Sequence, residues 1–289
     1  MEVKRMEERM KEIQGQEKRI KTRMGKIRHK LAILSGKGGV GKSTVTANLA
    51  VALAQKGYKV GVLDADIHGP SIPKLLGVRK GKLAASRTDN QGIVPVEGPL
   101  GIKIVSMDFL LPSDETPVIW RGPMKTGAIR QFLMDVVWGD LDFLLIDLPP
   151  GTGDEPLSIM QLMPDIDGIL IITAPSEVSQ IVVKRAIGFT RELHAPLIGI
   201  IENMSGFVCP KCGAGFDVFG AGGGQKISEE LSVPFLGKIP IEQKICEDSD
   251  RGTPFIIEHP DTPAAKSFMR IMNRIEYFLK RAVKHTGER

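Results

Sequence analysis

The stretch "LAILSGKGGVGKST", residues 31–44, decides how this chain folds. An apolar run gives way to a glycine-rich segment and then to Lys42, Ser43 and Thr44, and Gly36 through Ser43 fit the spacing G-x-x-x-x-G-K-[ST]. Strand, tight turn and helix start, in that order, form a loop that holds phosphate. Glycine is required because successive backbone N–H groups must reach phosphate oxygens with no Cβ in the way and a helix N-terminus behind them. The pattern gives Gly36, Lys37, Gly38, Gly39, Val40 and Gly41 to the cradle, Lys42 to the β- and γ-phosphates, Ser43 to Mg²⁺ and Thr44 to the α-phosphate. A glycine turn with a purely structural job has no need of Lys-Ser at its end.

Outward from the loop one theme recurs. From Lys30 onward the short apolar runs "LAIL", "VGVLD", "IKIVS", "FLLID", "GILIIT", "LIGIIE" and "FLGKIP" alternate with helix-length segments. Runs that are apolar on both faces belong to strands covered on both sides, so the expected fold is α/β: a mostly parallel β-sheet flanked by helices on both sides, a P-loop NTPase. No repeat or low-complexity linker divides residues 28–289, which read as one P-loop ATPase domain. Residues 263–286 set Phe268, Ile271, Met272, Ile275, Phe278, Leu279, Ala282 and Val283 on one face of an amphipathic helix. Packing on the sheet is the plain reading of that face, and membrane-surface binding the alternative. Residues 1–27 carry Val3, Met6, Met10, Ile13, Ile20, Met24 and Ile27 at steps of three and four, with Glu17 in the vacant heptad position. This is a charged amphipathic helix, weakened by Gly15 and Gly25, that reads as a solvated N-terminal extension or one strand of a short coiled coil.

The net charge is +5 over 289 residues, and most of the excess lies at the two ends, so no nucleic-acid partner is expected. No run reaches the roughly 18 apolar residues of a transmembrane segment. The N-terminus "MEVKRMEERMKEI" is too charged for a secretory signal, and the expected location is cytoplasmic. Three cysteines cannot frame a chain of this length, and in a reducing compartment the pair Cys209 and Cys212, in "GFVCPKCGAGF" at residues 206–216, points to metal. Two thiolates leave that site incomplete, since structural zinc and iron–sulfur clusters take four ligands. Spacing does not choose between the two metals. A thioredoxin-like redox pair would follow a first strand instead of lying this late in the chain. Cys246 stands alone in "EQKICEDS", and His29, His68 and His259 have no convergent partners in the sequence and read as solvated or locally bonded.

Carboxylates complete the phosphate chemistry. Asp147 ends "FLLID" and precedes "LPPGTGD", which puts it at the C-terminal edge of its strand, where Mg²⁺ and a γ-phosphate collect. Asp64 and Asp66, in "VLDADIHGPS", leave another strand toward the same crevice. Asp66 is the candidate base or water-positioning group. Asp64 reads equally as a strand-end carboxylate serving local N–H groups.

"SGKGGVGKST" also resembles the deviant Walker A loop of the MinD, Soj, ArsA and nitrogenase iron-protein group. In that group the early lysine reaches across a two-fold axis to the partner's nucleotide, and the second aspartate of D-x-D orients the attacking water. The resemblance implies these roles for Lys37 and Asp66 and makes ATP binding and homodimer formation one event. "SGKGGVGKSTVTANLAVALAQKGYKVGVLDADIHGPSIPKLLG", "VIWRGPMKTGAIRQFLMDVVWGDLDFLLIDLPPGTGD" and "GIIENMSGFVCPKCG" together resemble the Mrp (ApbC) family of ATP-binding iron–sulfur cluster carriers, over about residues 28–260. "WRGPM", "LPPGTGD" and "ENMSGFVCPKC" separate that family from its MinD and Soj relatives. The resemblance implies a homodimer in which Cys209 and Cys212 of both chains bridge one [4Fe-4S] cluster for delivery to apo iron–sulfur proteins, with slow ATP hydrolysis as a switch. It further matches Asn203 to an adenine-contacting asparagine and Pro240 to an adenine-flanking proline, and it leaves Cys246 without a metal role. The competing expectation is a MinD- or partition-like nucleotide-switched binding protein in which the same four thiolates clasp structural Zn²⁺.

Overall fold

Strands that are apolar on both faces need cover on both sides, and the chain supplies it. The computed structural model describes residues 2–86, 89, 92–111, 122–163, 165–209 and 211–286. Trp120 and Arg121 of "WRGPM" lie outside the described residues. In chain order the strands are β1 (Ile27–Ser35), β2 (Val60–Asp64), β3 (Ala84–Ala85), β4 (Ile93–Val94), β5 (Val96–Glu97), β6 (Lys103–Ser106), β7 (Leu141–Asp147), β8 (Gly168–Thr173), β9 (Leu197–Glu202), β10 (Phe207–Val208), β11 (Gly215–Phe216) and β12 (Phe235–Lys238). The helices are α1 (Glu2–Met24), α2 (Lys42–Gln55), α3 (Ile72–Leu75), α4 (Gly122–Asp135), α5 (Asp154–Leu162), α6 (Glu177–Glu192), α7 (Gly223–Glu230), α8 (Gln243–Arg251), α9 (Phe255–Glu258) and α10 (Pro263–Thr286).

The main sheet runs β12-β9-β8-β1-β7-β2-β6-β5. All neighbours in it are parallel except β5 with β6. Alternate side chains of each strand enter opposite layers. Leu31 and Ile33 of β1 join a core with α2, α9 and α10, while Ala32 and Leu34 face the layer built from α1, α4, α5, α6 and α7. This double burial explains why the sequence shows continuous apolar runs in place of alternation. The edge strand β12 is screened by α10, whose Arg274 donates to the carbonyls of Phe235 at 3.2 Å and Leu236 at 2.9 Å.

The expected terminal helix forms as α10, with Phe268, Ile271, Met272, Ile275 and Leu279 buried on the sheet. The N-terminal helix departs from both of its expected states, because its second half is part of the domain. Ile20 and Met24 are buried against the α4 side of the sheet, contributing about 2 kcal/mol each. Arg19 pairs with Asp135 at 2.6 Å, and Arg23 donates to the Met134 carbonyl at 3.2 Å. Met6, Met10 and Ile13 remain exposed.

Parallel strands send all their C-terminal ends to one edge. The loops after β1, β2, β7 and β9 therefore meet, although they are far apart in the chain.

Candidate functional site

The phosphate loop, residues 36–43, is shaped by its glycines at specific points. Gly39 and Gly41 sit at φ of +77° and +79°, the left-handed region that costs a Cβ-bearing residue strain. A Cβ on Gly36 would lie 2.7 Å from the Val182 carbonyl oxygen, and one on Gly41 would collide with the Asn203 amide. From Gly41 the chain enters α2, whose own first turn holds no acidic residue, so the positive helix end lies behind the loop. Lys37 is half-buried within the loop, and Thr44 accepts a bond from Asn48 through its carbonyl at 2.9 Å.

Asp147 gathers the loop's chemistry. The carboxylate is fully buried at the end of β7, and its Oδ2 accepts from Lys42 Nζ at 2.6 Å and Ser43 Oγ at 2.5 Å. Oδ1 accepts from Thr46 Oγ1 at 2.7 Å. Three donors fix both oxygens, with Lys42 supplying a compensating charge. Thr46 was missed in the sequence, though its position four residues after Lys42 on a helix sets both on one face. Asp66 lies beside this cluster, its Oδ2 3.8 Å from Lys42 Nζ, and accepts the Gly69 N–H at 3.3 Å.

Asp64 follows its structural reading. It is fully buried, and its oxygens accept from Ser106 Oγ at 3.1 Å and from the N–H groups of Ile72 at 3.2 Å and Asp66 at 3.3 Å. Burial, with the charge of Asp147 beside it in register, pushes its carboxyl up to about 8, against the opposing pull of Lys42.

The cysteine pair sits at the tip of a hairpin. β10 and β11 pair Phe207 with Phe216 and Val208 with Gly215, and Cys209 closes the turn through bonds to Ala214 and Gly213, both 2.9 Å. The sulfur of Cys209 receives the N–H groups of Cys212 and Lys211 and the Cys212 thiol, which together lower its pKa below the usual thiol range. Cys212 is exposed, and both thiols are free. Among the described residues no group of three or more histidine, cysteine, aspartate or glutamate side chains is arranged to hold a metal ion, so the hairpin of one chain offers a metal two thiolates. Val208, Phe216, Val218 and Phe219 are each more than half exposed around the pair, an apolar rim of the kind that marks contact surfaces. Cys246 is exposed on α8.

A short network joins the hairpin to the phosphate loop. Asn203 Nδ2 donates to the Val40 carbonyl at 2.9 Å, so this side chain braces the loop from behind. Glu202, fully buried at the end of β9, accepts from Ser205 Oγ and from the N–H groups of Gly222 at 3.2 Å and Gly224 at 2.6 Å. Pro240 lies between Ile239, whose carbonyl accepts from Ser205, and Ile241, whose N–H donates to Gly206. A charged residue ending the apolar run "LIGIIE" was the available signal for Glu202.

The three histidines have partners that the sequence did not reveal. His29 lies 3.9 Å from Asp167, His68 3.2 Å from Glu155 and His259 3.3 Å from Asp248. Each partner comes from another part of the chain, a crossing that no local pattern records.

The fold and the sequence have counterparts. Residues 26–276 match the sequence model of the ParA family described as NUBPL iron-transfer P-loop NTPase. An iron–sulfur cluster carrier protein of Methanocaldococcus jannaschii is 58% identical over 260 residues, 90% of this chain and 88% of that protein. One from Saccharolobus solfataricus is 52% identical over 264 residues, 91% of this chain and 88% of that protein. A nucleotide-binding protein from Archaeoglobus fulgidus, solved in complex with ADP, superposes with a TM-score of 0.75 at 43% identity, covering 88% of this chain and 96% of that one. The MinD cell division protein of Aquifex aeolicus shares the fold, with a TM-score of 0.60 at 24% identity over 86% of this chain and 97% of that one. No described helix is long and apolar enough to cross a membrane.

Proposed function

The chain belongs to the NUBPL iron-transfer P-loop NTPase family, and from that premise we propose that it is a cytoplasmic, ATP-driven carrier of [4Fe-4S] clusters. It holds its cargo between two copies through Cys209 and Cys212 of each and delivers it to apo iron–sulfur proteins. The observation that carries this reading is half a cluster site: two free thiols, one half-buried and one exposed, on a hairpin rooted in the same loops that brace the phosphate loop. A two-fold axis doubles such a site without further ligands. The exposed apolar rim of the hairpin suits contact with a second copy.

The nucleotide roles follow from the donor set. Gly36 through Gly41 present N–H groups to phosphate, with Lys42 as the cation and the α2 N-terminus behind it. Ser43 and Asp147 offer the hard oxygens that Mg²⁺ takes, and Mg²⁺ there would offset charge on the β- and γ-phosphates. Asp66, free of the Asp147 bonds yet beside Lys42, orients the attacking water. Lys37, half-buried in the loop, serves the partner's nucleotide. Asn203 and Pro240 flank the adenine. Hydrolysis acts as a timer, expected at about 10⁻³ to 10⁻² per second for an unassisted switch.

Anaerobic reconstitution with iron and sulfide, followed by metal counting, Mössbauer spectroscopy and native mass, tests the reading. About two irons and two sulfides per chain, as [4Fe-4S] in a dimer, is the expected outcome. About half a zinc per chain that iron does not displace would sink the carrier and leave a nucleotide-switched binding protein with a zinc clasp.

A further inference from the structure

Among the described residues three lysines are buried: Lys30, Lys42 and Lys125. An ammonium removed from water must be compensated, so each asks what holds it. Lys42 answers to Asp147, and Lys30 lies against Asp167 at 4.0 Å. Lys125, only 8% exposed, rises from the first turn of α4 and ends between the two loops that follow the nucleotide carboxylates. Its Nζ donates to Glu155 Oε1 at 2.5 Å and also to His68 Nε2. His68 Nε2 lies 3.2 Å from the same Glu155 oxygen. Because an ammonium only donates, His68 receives it through a bare Nε2.

The placement gives the cluster its meaning. His68 stands two residues after Asp66, and Glu155 stands in the first turn of α5, eight residues after Asp147. Between Asp147 and Glu155 the chain passes Gly151, at φ of +96°, and Gly153, where a Cβ would meet nothing within 4 Å. Both glycines stand in open space, and the far end of the segment is fixed to the Asp66 loop by Lys125. Burial works against the Glu155 charge, but the bonded ammonium of Lys125 prevails and keeps its carboxyl below the ordinary value.

We propose that Lys125 is a positioning residue for the nucleotide reaction, clamping His68 and Glu155 so that the Asp66 loop and the loop after Asp147 move as one body. This rests on the nucleotide-switch reading above. Loss of the γ-phosphate at one loop is then conveyed to the other through a single ammonium, the kind of discrete element that switching requires.

The test compares hydrogen exchange in segments 64–71 and 147–156 of the full-length protein, with ADP and with a non-hydrolysable ATP analogue, beside steady-state ATP hydrolysis. In the wild-type protein both segments should change together. In Lys125→Ala the two responses should separate, with kcat falling roughly tenfold and KM within about twofold of wild type. Lys125→Arg, which keeps the cation and its donors, should restore the joint response. Glu155→Gln supplies the same comparison should Lys125→Ala fold poorly, and the double variant should be no worse than either single one. Joint responses with unchanged kcat in Lys125→Ala, or losses that add in the double variant, would overturn the clamp while leaving the switch intact. A wild-type protein in which neither segment distinguishes the two nucleotides would overturn the switch reading and this inference with it.

Discussion

The phosphate loop and the cysteine hairpin are built on opposite plans. Around Asp147 every donor finds its acceptor within one chain: Lys42, Ser43 and Thr46 occupy both carboxylate oxygens, and the cluster is buried. At the hairpin, Cys209 and Cys212 face outward with no third ligand among the described residues and with apolar side chains exposed around them. One site is self-sufficient because desolvation forces each buried charge to be satisfied locally. The other stops at the surface, where its thiols stay within reach of solvent. A carrier needs that asymmetry: the nucleotide must be gripped by a rigid frame, while the cargo must be reachable by whatever receives it.

Substitution at the hairpin should give the largest effect and divide the regions most cleanly. Cys209→Ser with Cys212→Ser should abolish iron–sulfur retention after reconstitution, while affinity for a fluorescent ADP analogue stays within about twofold. Loss of both together would mean that the two plans are not separable. Lys42→Ala comes next. It removes a charge-assisted donor to phosphate worth about 1.5 to 3 kcal/mol, so ADP affinity should fall roughly 10- to 100-fold by titration calorimetry. Reconstituted iron content should change little if the hairpin is independent of the frame.

The smallest effect sharpens the picture of the buried frame. Asp64 has a folded pKa of about 8 against an ordinary 3.8, so between those values the folded protein holds a proton that the unfolded chain has released. Its contribution to stability is therefore greatest at the acidic end of that window and declines as pH rises toward about 8. Asp64→Asn, which cannot titrate, should show a flatter dependence of melting temperature on pH over this range. Parallel curves for the variant and wild type would remove Asp64 as the source of the slope.

Much of this is legible in the sequence. "LAILSGKGGVGKST" and the apolar runs specified β1, the loop, α2 and a covered parallel sheet, because strand, turn and helix start lie side by side in the chain and local backbone chemistry suffices to encode them. "CPKC" set two free thiols in one turn for the same reason.

What tertiary structure alone decided are the contacts between distant segments. Thr46 reaches Asp147 across 101 residues, Asn203 reaches Val40 across 163, and Lys125 reaches His68 across 57 and Glu155 across 30. The second half of α1, which read as an extension, became a wall of the domain because α4 offered Ile20 and Met24 an apolar face. Periodicity records which face of a helix is apolar but not what will cover it. Neighbouring residues encode the phosphate loop and the cysteine turn; the parallel sheet, by delivering the ends of β1, β2, β7 and β9 to one edge, sets which of those parts can act on one another.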